Sequence, residues 1–392
     1  MHIFFSVGEP SGDLHAAKLV AELKRRVPVL ACSGFGGPLL EEAGCRLLFR
    51  LTDLAVMGFL PVVPLIFKFV HLAREARKHL EAHRPDAVIL VDFPGFNWWI
   101  ARAAKQLGIP VFYYLPPQLW AWAPWRVRRM QKFVDHVLSG LPFEVEWYAR
   151  RSVAAEFVGH PFFDEVAARP LDAGFMNQHR AAEQGGPIRR TIAVLPGSRN
   201  REISDNFEIQ IRVMKRLHRR VAGCKFLVAC YRETQLERCR QLLARRAPEL
   251  PVSLHVGRTS EIIELGEVCL MVSGSVSLEV LARRKPAVVV YRVNRAFYWW
   301  CRVMITCKYF SLPNLIAGRP VMPEFAPVDD PEPAIYTMTE LLHRWLTDAG
   351  EYLRHQAVLT RLRDEVATPG ATENAARVIL ERLGVPRVQR AA

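Results

Sequence analysis

The chain has 392 residues, of which 50% are hydrophobic and 23% charged, so it can build more than one hydrophobic core. An excess of 53 Lys and Arg over 39 Asp and Glu gives a net charge of +14, which favours an anionic partner: nucleic acid, an anionic membrane surface or a phosphorylated substrate. The sequence contains no RRM, KH or helix-turn-helix signature, and we therefore expect no nucleic acid among its partners.

The cysteines and the apolar stretches limit the class of protein further. The eight cysteines form no CxxC pair, which argues against a zinc site or a disulfide framework and suits a reducing cytosol. Residues 1–10 lack the basic start and the long apolar run of a signal peptide. Residues 54–70 are the most hydrophobic stretch, but they are short for a membrane span of about 20 residues and contain prolines and a lysine, so we predict no transmembrane helix.

The first unit along the chain is predicted to be a strand, a glycine-containing loop and a helix. Residues 2–7 form the strand, GEPSGD forms the loop, and apolar residues then recur at helical spacing up to residue 27. The loop lacks GxGxxG and an acidic partner for a ribose, so it is not the dinucleotide-binding fingerprint. Glu9, Ser11 and Asp13 are candidates both for binding a polar ligand and for capping the helix.

A buried strand at residues 87–91 ends on a carboxylate, Asp92, which precedes a Pro-Gly turn. Ligands of open parallel sheets bind just beyond the carboxyl ends of the strands, so Asp92 stands where a general base would be placed. The simpler interpretation is that Asp92 caps the following turn or helix. Before it, we predict a strand ending within residues 31–37 and a helix with a basic exposed face at residues 69–83.

The alternation of strands and helices continues through residues 109–148 and predicts a parallel sheet covered on both faces. Residues 166–190 are polar and contain Gly-Gly-Pro, which is typical of a linker. The alternation then restarts, and residues from 333 onward are predicted to be helices. We therefore expect an α/β protein with domains at residues 1–165 and 191–335 and C-terminal helices at residues 336–392, which either pack back on the N-terminal domain or are exchanged in a dimer. The strands expected in the second domain span residues 191–195, 224–230, 252–256, 268–272 and 287–291.

The turn that follows the first strand of the second domain has the features of an anion site. Gly197 and Ser198 stand between the strand and a probable helix start, where free N–H groups and the positive end of the helix meet. Arg199 adds a planar, permanently charged group for phosphate, and Glu202 follows on the helix. The turn is not a Walker loop, because it lacks GxxxxGK[ST]. The alternative is an ordinary strand–helix turn with an exposed arginine.

A second turn of the same kind is predicted after residue 272. Ser273, Gly274 and Ser275 precede a helix, and Glu279 lies in its first turns. A carboxylate there can accept hydrogen bonds from both hydroxyls of a ribose. Two phosphate-binding turns in one domain favour a sugar nucleotide over a triphosphate with Mg²⁺, since the sequence shows no cluster of carboxylates for the metal.

With these residues in place, the chain resembles the lipid-A-disaccharide synthase family over nearly its whole length. The matching motifs occur in the family's order and are far more specific together than any one glycine loop. In the first half they are GEPSGDLHA (8–16), GFGGPLLEEAG (34–44), LAVMGF (54–59), VDFPGFN (91–97), WAW (120–122), LPFE (141–144) and FVGHP (157–161). In the second half they are LPGSRNREI (195–203), SGSVSLE (273–279) and SLPNLIAGRPVMPEF (311–325).

The resemblance implies a fold, a reaction and a location. The fold is the B-type glycosyltransferase fold, in which two doubly wound Rossmann-like domains face a cleft. The reaction transfers diacylglucosamine from UDP to diacylglucosamine 1-phosphate, with inversion and without a metal or another cofactor. The acceptor would bind the N-terminal domain and the UDP-sugar the C-terminal domain. The resemblance also implies a peripheral protein at the cytoplasmic face of the inner membrane, and dimers that exchange C-terminal segments.

The resemblance also assigns roles to residues. Asp92 matches the proposed base of the family's VDxPxFN motif, and its competitors are Glu9, His15, Asp13 and His160. A second set of residues is expected to bind substrate. These are Gly8, Ser11, Gly12, Asp13 and Asn97 in the first domain and Gly197, Ser198, Arg199, Glu202, Ser273, Gly274, Ser275, Glu279, Asn314 and Glu324 in the second.

The sequence departs from the family pattern on the acceptor side. Pro116 stands where the family often has Ser, and Phe93 replaces the small residue after the motif Asp. Ser275 replaces a Thr and keeps its hydroxyl. No chemically required group is lost.

Two acylated substrates require a boundary between water and lipid. Trp residues lie beside basic residues at 120–132, and an aromatic group at 297–300 precedes Arg302, which suits a headgroup interface. Packing of these aromatics in the core is the alternative interpretation. The membrane-contacting residues are predicted to be Val56, Met57, Phe59, Leu60, Val62, Val63, Leu65, Ile66 and Phe67.

Two other functions stay open on the sequence alone. One is a different B-type enzyme, either a transferase for another acceptor or a UDP-GlcNAc epimerase. The other is a non-catalytic, membrane-docked protein that binds nucleotide sugars.

Overall fold

The structure is a computed structural model and describes residues 1–56, 62–184 and 190–385. The chain divides into two compact units. Unit 1 comprises Met1–Asp164 together with the chain from Thr368 onward, and unit 2 comprises Glu165–Ala367. Each unit is built on one parallel sheet, which confirms the predicted α/β class. No helix among the described residues is both long and apolar enough to cross a membrane.

Unit 1 contains a seven-stranded sheet in the order β3-β2-β1-β4-β5-β6-β7. Its strands are β1 (His2–Val7), β2 (Ala31–Gly36), β3 (Arg46–Arg50), β4 (Ala87–Val91), β5 (Val111–Tyr114), β6 (His136–Ser139) and β7 (Ala155–Phe157). Its helices are α1 (Pro10–Arg26), α2 (Pro38–Glu42), α3 (Thr52–Val56), α4 (Val62–His83), α5 (Pro94–Gln106), α6 (Leu119–Trp122), α7 (Val127–Phe133), α8 (Pro142–Ala149) and α9 (Pro161–Ala168), which runs across the division between the units.

Unit 2 contains a six-stranded sheet in the order β10-β9-β8-β11-β12-β13. Its strands are β8 (Thr191–Leu195), β9 (Lys225–Cys230), β10 (Val252–Val256), β11 (Val268–Val272), β12 (Ala287–Val290) and β13 (Glu324–Phe325). Its helices are α10 (Ala173–Gln184), α11 (Asn200–Arg220), α12 (Glu233–Arg246), α13 (Thr259–Leu265), α14 (Val276–Ala282), α15 (Arg295–Met304), α16 (Leu312–Ala317), α17 (Glu332–Thr347) and α18 (Ala349–Val366). The last helix, α19 (Ala371–Arg382), belongs to unit 1.

Alternate residues of the strands in unit 1 supply two separate cores. Phe4 and Leu90 pack on one face of the sheet with α4, α5 and α7. Phe5 and Ile89 pack on the other face with α1 and α19, where Ile379 is fully buried. This alternation is the two-residue period of a strand, and burial of both faces explains why β4 is apolar throughout and β1 is apolar except at His2 and Ser6.

In each sheet, successive strands are first added on one side of the first strand and then on its other side, so the strand order changes direction at one point. In unit 1 the point lies between β1 and β4, whose last residues, Val7 and Val91, are paired in register. In unit 2 it lies between β8 and β11. The carboxyl ends of the two strands at such a switch point border the crevice in which open α/β sheets bind their ligands. The loops after β1, β4, β8 and β11 are those that the sequence singles out.

The helical parts differ from the predictions in three places. Helix α4 starts at Val62 rather than residue 69, which Pro64 permits because the first turn of a helix needs no N–H from it. Residues 166–190, predicted as a linker, contain the end of α9 and all of α10. The division predicted at residues 335/336 falls within α17, which together with α18 belongs to unit 2.

Two of the sequence motifs of unit 1 meet in a buried hydrogen-bonded group. The Trp120 indole donates to Glu144 Oε1 at 2.8 Å, and the Ser139 hydroxyl donates to Glu144 Oε2. Complete burial raises the pKa of Glu144 from an ordinary value of 4.5 to about 7, against the opposing effect of these two donors. The WAW and LPFE motifs thus join α6 to α8 beneath the carboxyl end of β6.

We expect this carboxyl to make the stability of the protein depend on pH. The folded state holds the Glu144 proton to a higher pH than the unfolded chain does, so the stabilisation is complete below pH 4.5 and is lost as the pH rises to about 7. The loss amounts to about 3 kcal/mol of the free energy of unfolding. Urea unfolding gives the free energy of unfolding of wild type and Glu144→Gln at pH 5 and pH 8. The decrease from pH 5 to pH 8 in wild type, minus the decrease in Glu144→Gln, measures the contribution of the Glu144 carboxyl. Identical pH dependence in the two proteins would contradict this role.

Candidate active site

Asp92 and Phe93 join β4 to α5 in an unusual backbone conformation. Their φ angles are +43° and +46°, which is the left-handed region that side chains with a Cβ rarely adopt. Two consecutive residues of this kind store strain, and such strain persists only where the surroundings fix it. The connection therefore places the Asp92 carboxylate beyond the end of β4 at the cost of local backbone energy.

Two side chains hold the strained peptide through the carbonyl oxygen of Asp92. The Tyr113 hydroxyl donates to it at 2.6 Å and Asn97 Nδ2 donates at 2.7 Å. Asn97 also donates to the Ser6 and Val91 carbonyls at 3.3 and 3.2 Å, and its Oδ1 accepts from the Ser6 hydroxyl at 2.6 Å. The Asn97 side chain is completely buried. It was predicted to bind substrate, and in the structure its contacts hold the backbone at Asp92.

Gly8, the residue after β1, is required by the close approach of Phe93. A Cβ at Gly8 would lie 2.2 Å from ring carbons of Phe93, well inside any real contact distance. Gly12 is similarly close to the sheet, with 3.1 Å to Val7 Cγ1. Close packing therefore explains why glycine stands at both predicted substrate-binding positions. The absence of side chains there lets the loop after β1 lie against the Asp92–Phe93 turn and the sheet.

Asp13 lies at the switch point but is used inside the protein. Its carboxylate accepts hydrogen bonds from the N–H groups of Gly37 at 2.7 Å, Leu39 at 3.0 Å and Leu40 at 3.3 Å. These are the unpaired donors at the start of α2, so Asp13 caps α2 rather than its own helix. The side chain is 2% exposed, and its partners leave it poorly suited to bind a substrate.

Asp92 and the other candidates of this switch point lie in different environments. Burial raises the pKa of the Asp92 carboxyl, while the Phe93 N–H and the nearby His15 act in the opposite direction. The His15 and His160 rings are perpendicular, with 6.4 Å between centroids. Glu9 is half-buried at the start of α1, and Ser11 is exposed. A half-buried carboxylate with a raised pKa has the proton affinity that a general base needs near neutral pH.

Tyr113 belongs to the candidate site, because its hydroxyl donates to the Asp92 carbonyl, but it was not predicted from the sequence. Its hydroxyl stays protonated, because burial and the charge of Asp92 raise its pKa well above the ordinary value. It stands in an apolar strand and reaches Asp92 only because β5 pairs with β4 so that Tyr113 lies opposite Leu90. Nothing in the local sequence distinguishes it from a core aromatic.

In unit 2, the predicted phosphate turn carries an internal carboxylate. Gly197 has a φ of +107°, and the N–H groups of Ser198 and Arg199 donate to Glu202 Oε2 at 2.9 and 3.1 Å. Arg199 Nη1 donates to Glu202 Oε1 at 3.0 Å, although the arginine side chain is 81% exposed. The N–H groups expected to be free are therefore occupied by Glu202, the third residue of α11, in the capping-box arrangement of a helix start. The exposed guanidinium extends from the turn.

The second turn is linked to the edge of the sheet. The Ser273 hydroxyl donates to the Phe310 carbonyl at 2.9 Å, and the Ser277 hydroxyl donates to the Gly274 carbonyl at 2.7 Å. Glu279 is buried, and its Oε1 accepts from Arg283 Nε at 3.1 Å. Ser275 is the N-cap residue of α14 without a side-chain cap. The predicted ribose ligand Glu279 thus shares one oxygen with an arginine of its own helix.

Asn314 and Glu324 fix the segment that precedes β13. Glu324 accepts hydrogen bonds from the Phe310 and Ser311 N–H groups at 2.9 and 2.8 Å and from Asn314 Nδ2 at 2.7 Å. Asn314 Oδ1 accepts from the N–H groups of Val321 and Met322, both at 2.8 Å. The predicted substrate-binding roles are not needed to explain these two residues, since both side chains hold the backbone of residues 310–324.

A cavity of about 620 Å³ lies beside both turns of unit 2. Arg199 and Glu202 from the first turn and Ser273 from the second border one part of it. Most of its remaining wall is apolar or aromatic, with cationic groups at Arg302 and Lys308. The rest of the wall consists of Tyr291, Val293, Tyr298, Cys301, Ile305, Cys307, Tyr309, Phe310 and Ala326.

The predicted membrane-contacting residues are described only in part. Ile66 and Phe67 are 50% and 73% exposed on α4. Val56 lies in α3, and Val62, Val63 and Leu65 lie in α4. Met57, Phe59 and Leu60 lie outside the described residues. In unit 2, Trp299 and Trp300 of α15 are 63% and 50% exposed, and the Arg302 guanidinium lies 5.5 Å from the Trp299 ring centroid.

Within the described ranges, no group of three or more His, Cys, Asp or Glu side chains is arranged to hold a metal ion.

Comparison with known proteins gives one family. The model of the family described as Lipid-A-disaccharide synthetase matches residues 3–362. A lipid-A-disaccharide synthase of Anaeromyxobacter dehalogenans (strain 2CP-1) is 35% identical over 386 residues, which cover 98% of this chain and 97% of the relative.

Two solved structures share the fold at low identity. The S. aureus MnaA–UDP co-structure matches with a TM-score of 0.66 and 12% identity over 98% of this chain and 97% of that one. The calicheamicin glycosyltransferase CalG4 matches with a TM-score of 0.58 and 16% identity, and the match covers 98% of each chain. At such identity these two matches establish the fold alone.

Proposed function

The chain belongs to the Lipid-A-disaccharide synthetase family, and from this membership we propose how its residues carry out the reaction. The protein is a glycosyltransferase that acts as a lipid-A-disaccharide synthase. A hydroxyl oxygen of the acceptor, diacylglucosamine 1-phosphate, forms a bond to the anomeric carbon of UDP-diacylglucosamine. The bond from that carbon to the diphosphate breaks, and UDP leaves with the electron pair. The hydroxyl proton must pass to a base on the enzyme.

We assign the base to Asp92. The observation that carries this assignment is the strained turn at the switch point of unit 1, where Tyr113 and Asn97 both donate to the Asp92 carbonyl. Strain that is held this firmly is typical of a functional residue. The raised pKa of the carboxyl favours proton transfer from an alcohol. His15 stands close enough to influence the Asp92 carboxyl electrostatically, and Glu9 influences the neighbouring Tyr113 hydroxyl. Either side chain could orient the acceptor.

On unit 2, we propose that Arg199 binds the diphosphate of UDP. Its guanidinium is exposed at a turn that already holds one carboxylate, and it can form two parallel bonds to phosphate oxygens. For the diphosphate to reach the N–H groups of Ser198 and Arg199, the Glu202 side chain must leave them. Glu279 would bind the ribose through the carboxylate oxygen that Arg283 does not bond.

The cavity beside these turns supports an acylated donor. An apolar wall next to a phosphate-binding turn suits a ligand with a diphosphate and a hydrocarbon chain. A sugar nucleotide without acyl chains would leave this wall in contact with water. We therefore place part of the donor's acyl chains against Tyr298, Ile305 and Phe310.

The replacement Arg199→Ala is expected to weaken UDP binding about 30-fold, which corresponds to the loss of a charged hydrogen bond of about 2 kcal/mol. Calorimetric titration with UDP measures the change. Arg201→Ala is the matched control, because Arg201 is equally exposed, pairs only with Asp205 in the described structure and does not border the cavity. Equal losses in the two variants would remove Arg199 from the binding site.

The proposed reaction is tested by incubating the purified protein with UDP-diacylglucosamine and diacylglucosamine 1-phosphate. We expect a disaccharide 1-phosphate and an equal amount of UDP. A parallel reaction with UDP-GlcNAc alone should give neither transfer nor epimer. Turnover of UDP-GlcNAc without use of the acylated donor would replace the proposed function with that of another UDP-sugar enzyme.

We further propose that the protein works as a peripheral protein at the cytoplasmic face of the inner membrane. Exposed Ile66 and Phe67 on α4 and the net charge of +14 support contact with an anionic surface. In the homodimer expected from the family, α19 is the segment that we propose is exchanged, since it packs on α1 of unit 1.

A further inference from the structure

A basic groove of about 510 Å³ lies on the face of unit 1 formed by α4, α5 and α7. Each helix contributes one face: residues 70, 73, 74 and 77 of α4, residues 98, 99, 102, 103 and 106 of α5, and residues 129 and 133 of α7. These spacings of three and four residues are those of neighbours on a helix surface. The groove is therefore a product of three packed helices rather than of a loop.

The charge of this groove is strongly one-sided. Arg74, Arg77, Arg102 and Arg129 all line it, and none of the described residues that line it is acidic. Arg77 is paired with Glu81 at 2.9 Å on the same helix. Four guanidinium groups around one concave surface repel each other and attract an anion, and phosphate oxygens match their geometry best.

Two tryptophans give the groove an aromatic wall. Trp98 is 4% exposed, and its buried indole N–H has no hydrogen-bond partner in the described protein. Trp99 is 49% exposed, and the Arg129 guanidinium lies 6.0 Å from the Trp98 ring centroid. A buried N–H without an acceptor is costly, and indole rings beside cations are typical of the headgroup level of a membrane.

The groove lies away from Asp92 and close to the end of α4 that carries exposed apolar residues. Helix α5 starts at Pro94, beside Asp92, and at about 1.5 Å per residue Trp98 and Gln106 lie about 6 and 18 Å further along its axis. The groove therefore extends away from Asp92. On α4, Val70 follows the exposed residues Ile66 and Phe67 by about one turn.

We propose that this groove binds the phosphate headgroup of an anionic bilayer phospholipid and so docks unit 1 on the membrane, apart from the acceptor site. Ile66 and Phe67 would enter the apolar layer while the arginines hold the headgroup. The inference deepens the proposed function, because it rests on an enzyme that collects its lipid substrates at a membrane. It names a discrete headgroup site in addition to the general attraction of a basic protein to an anionic surface.

Flotation of the full-length protein with phosphatidylcholine vesicles, with and without phosphatidylglycerol, tests the inference. We expect wild type to bind only the phosphatidylglycerol vesicles and Arg74→Gln/Arg102→Gln to bind them about 30-fold more weakly, at roughly 1 kcal/mol for each arginine. Arg180→Gln/Arg245→Gln is the matched control. It removes the same charge from two exposed arginines of unit 2, on α10 and α12, which like Arg74 and Arg102 form no ion pair in the described structure. Equal weakening in both variants, or no binding by wild type, would overturn the proposal.

Two further measurements distinguish the bilayer lipid from other sources of phosphate. Glycerol phosphate should not bind when its concentration equals the concentration of lipid phosphate that saturates the vesicle assay. Binding of glycerol phosphate as tight as that of the vesicles would make the groove a site for free phosphate. In detergent micelles the groove variant should keep the wild-type kcat and the wild-type KM for the acceptor. A raised acceptor KM there would assign the groove to the acceptor instead. Failure of wild type to form the disaccharide would refute the proposed function and leave the vesicle result standing.

Discussion

The replacement Asp92→Asn is expected to lower kcat about 1000-fold while the Kd for UDP stays unchanged. An amide has nearly the shape of the carboxylate but cannot take the acceptor proton, and loss of a general base costs about 10² to 10⁴ in rate. UDP binding should be retained because the residues proposed to bind it belong to unit 2. Single-turnover transfer and UDP titration of the same preparation separate the two effects.

Two control variants decide whether Asp92 is the base or only orients the acceptor. We expect Glu9→Gln and His15→Ala to reduce kcat less than Asp92→Asn does. In wild type, kcat/KM should fall as the pH drops through the raised pKa of Asp92, and this fall should be absent from the residual activity of Asp92→Asn. A variant of Asp92 with near-normal turnover would transfer the role to one of its neighbours.

The replacement Asn97→Leu is expected to reduce kcat about 100-fold and the free energy of unfolding by about 3 kcal/mol. Leucine removes the bond to the Asp92 carbonyl and leaves the buried Ser6 hydroxyl without the acceptor that Asn97 provides. The strained turn then loses one of its two donors, so the Asp92 carboxylate is no longer fixed. Steady-state kinetics with saturating substrates and urea unfolding measure the two changes.

A control variant that loses stability at a different place shows whether Asn97 positions Asp92 or only stabilises the protein. Leu80→Ala creates a cavity in the core beneath α4 and should cost about as much stability, roughly 2 to 5 kcal/mol, while kcat stays near that of wild type. Tyr113→Phe removes only the other donor to the Asp92 carbonyl, and we expect a smaller fall in kcat with the KM values unchanged. Equal effects of Asn97→Leu and Leu80→Ala on kcat would show that Asn97 acts through stability alone.

The fold was predictable wherever a strand is fully buried. Strands β4 and β11 are continuous apolar runs, β1 and β8 are apolar except at His2, Ser6 and Thr191, and the loops that follow these four strands identify both switch points. Strands β3, β7 and β13 were not predicted. They have only five, three and two residues, respectively, and these are partly exposed, so they form no apolar run in the sequence. Their existence depends on the neighbouring strand, which the local sequence does not contain.

The candidate site was predictable in position but not in the partners of its carboxylates. Asp13, Glu202 and Glu324 were all placed near ligands, and in the structure each accepts backbone N–H groups of its own unit. A carboxylate near a helix start satisfies either a ligand or the helix itself, and the spacing of residues is the same in both cases. Asp92 also has a backbone N–H beside its carboxyl, that of Phe93, but it stands at a switch point in a strained turn, which only the three-dimensional structure shows.

The return of the last helix to unit 1 has a consequence for how the protein is made. Helix α19 completes the core beside α1, although unit 2 lies between them in the chain. Domains usually fold in the order in which the ribosome releases them. Here the core of unit 1 stays incomplete until Ile379 has been synthesised, after all of unit 2, so a ribosome that stalls between unit 2 and α19 would leave unit 2 complete and unit 1 open.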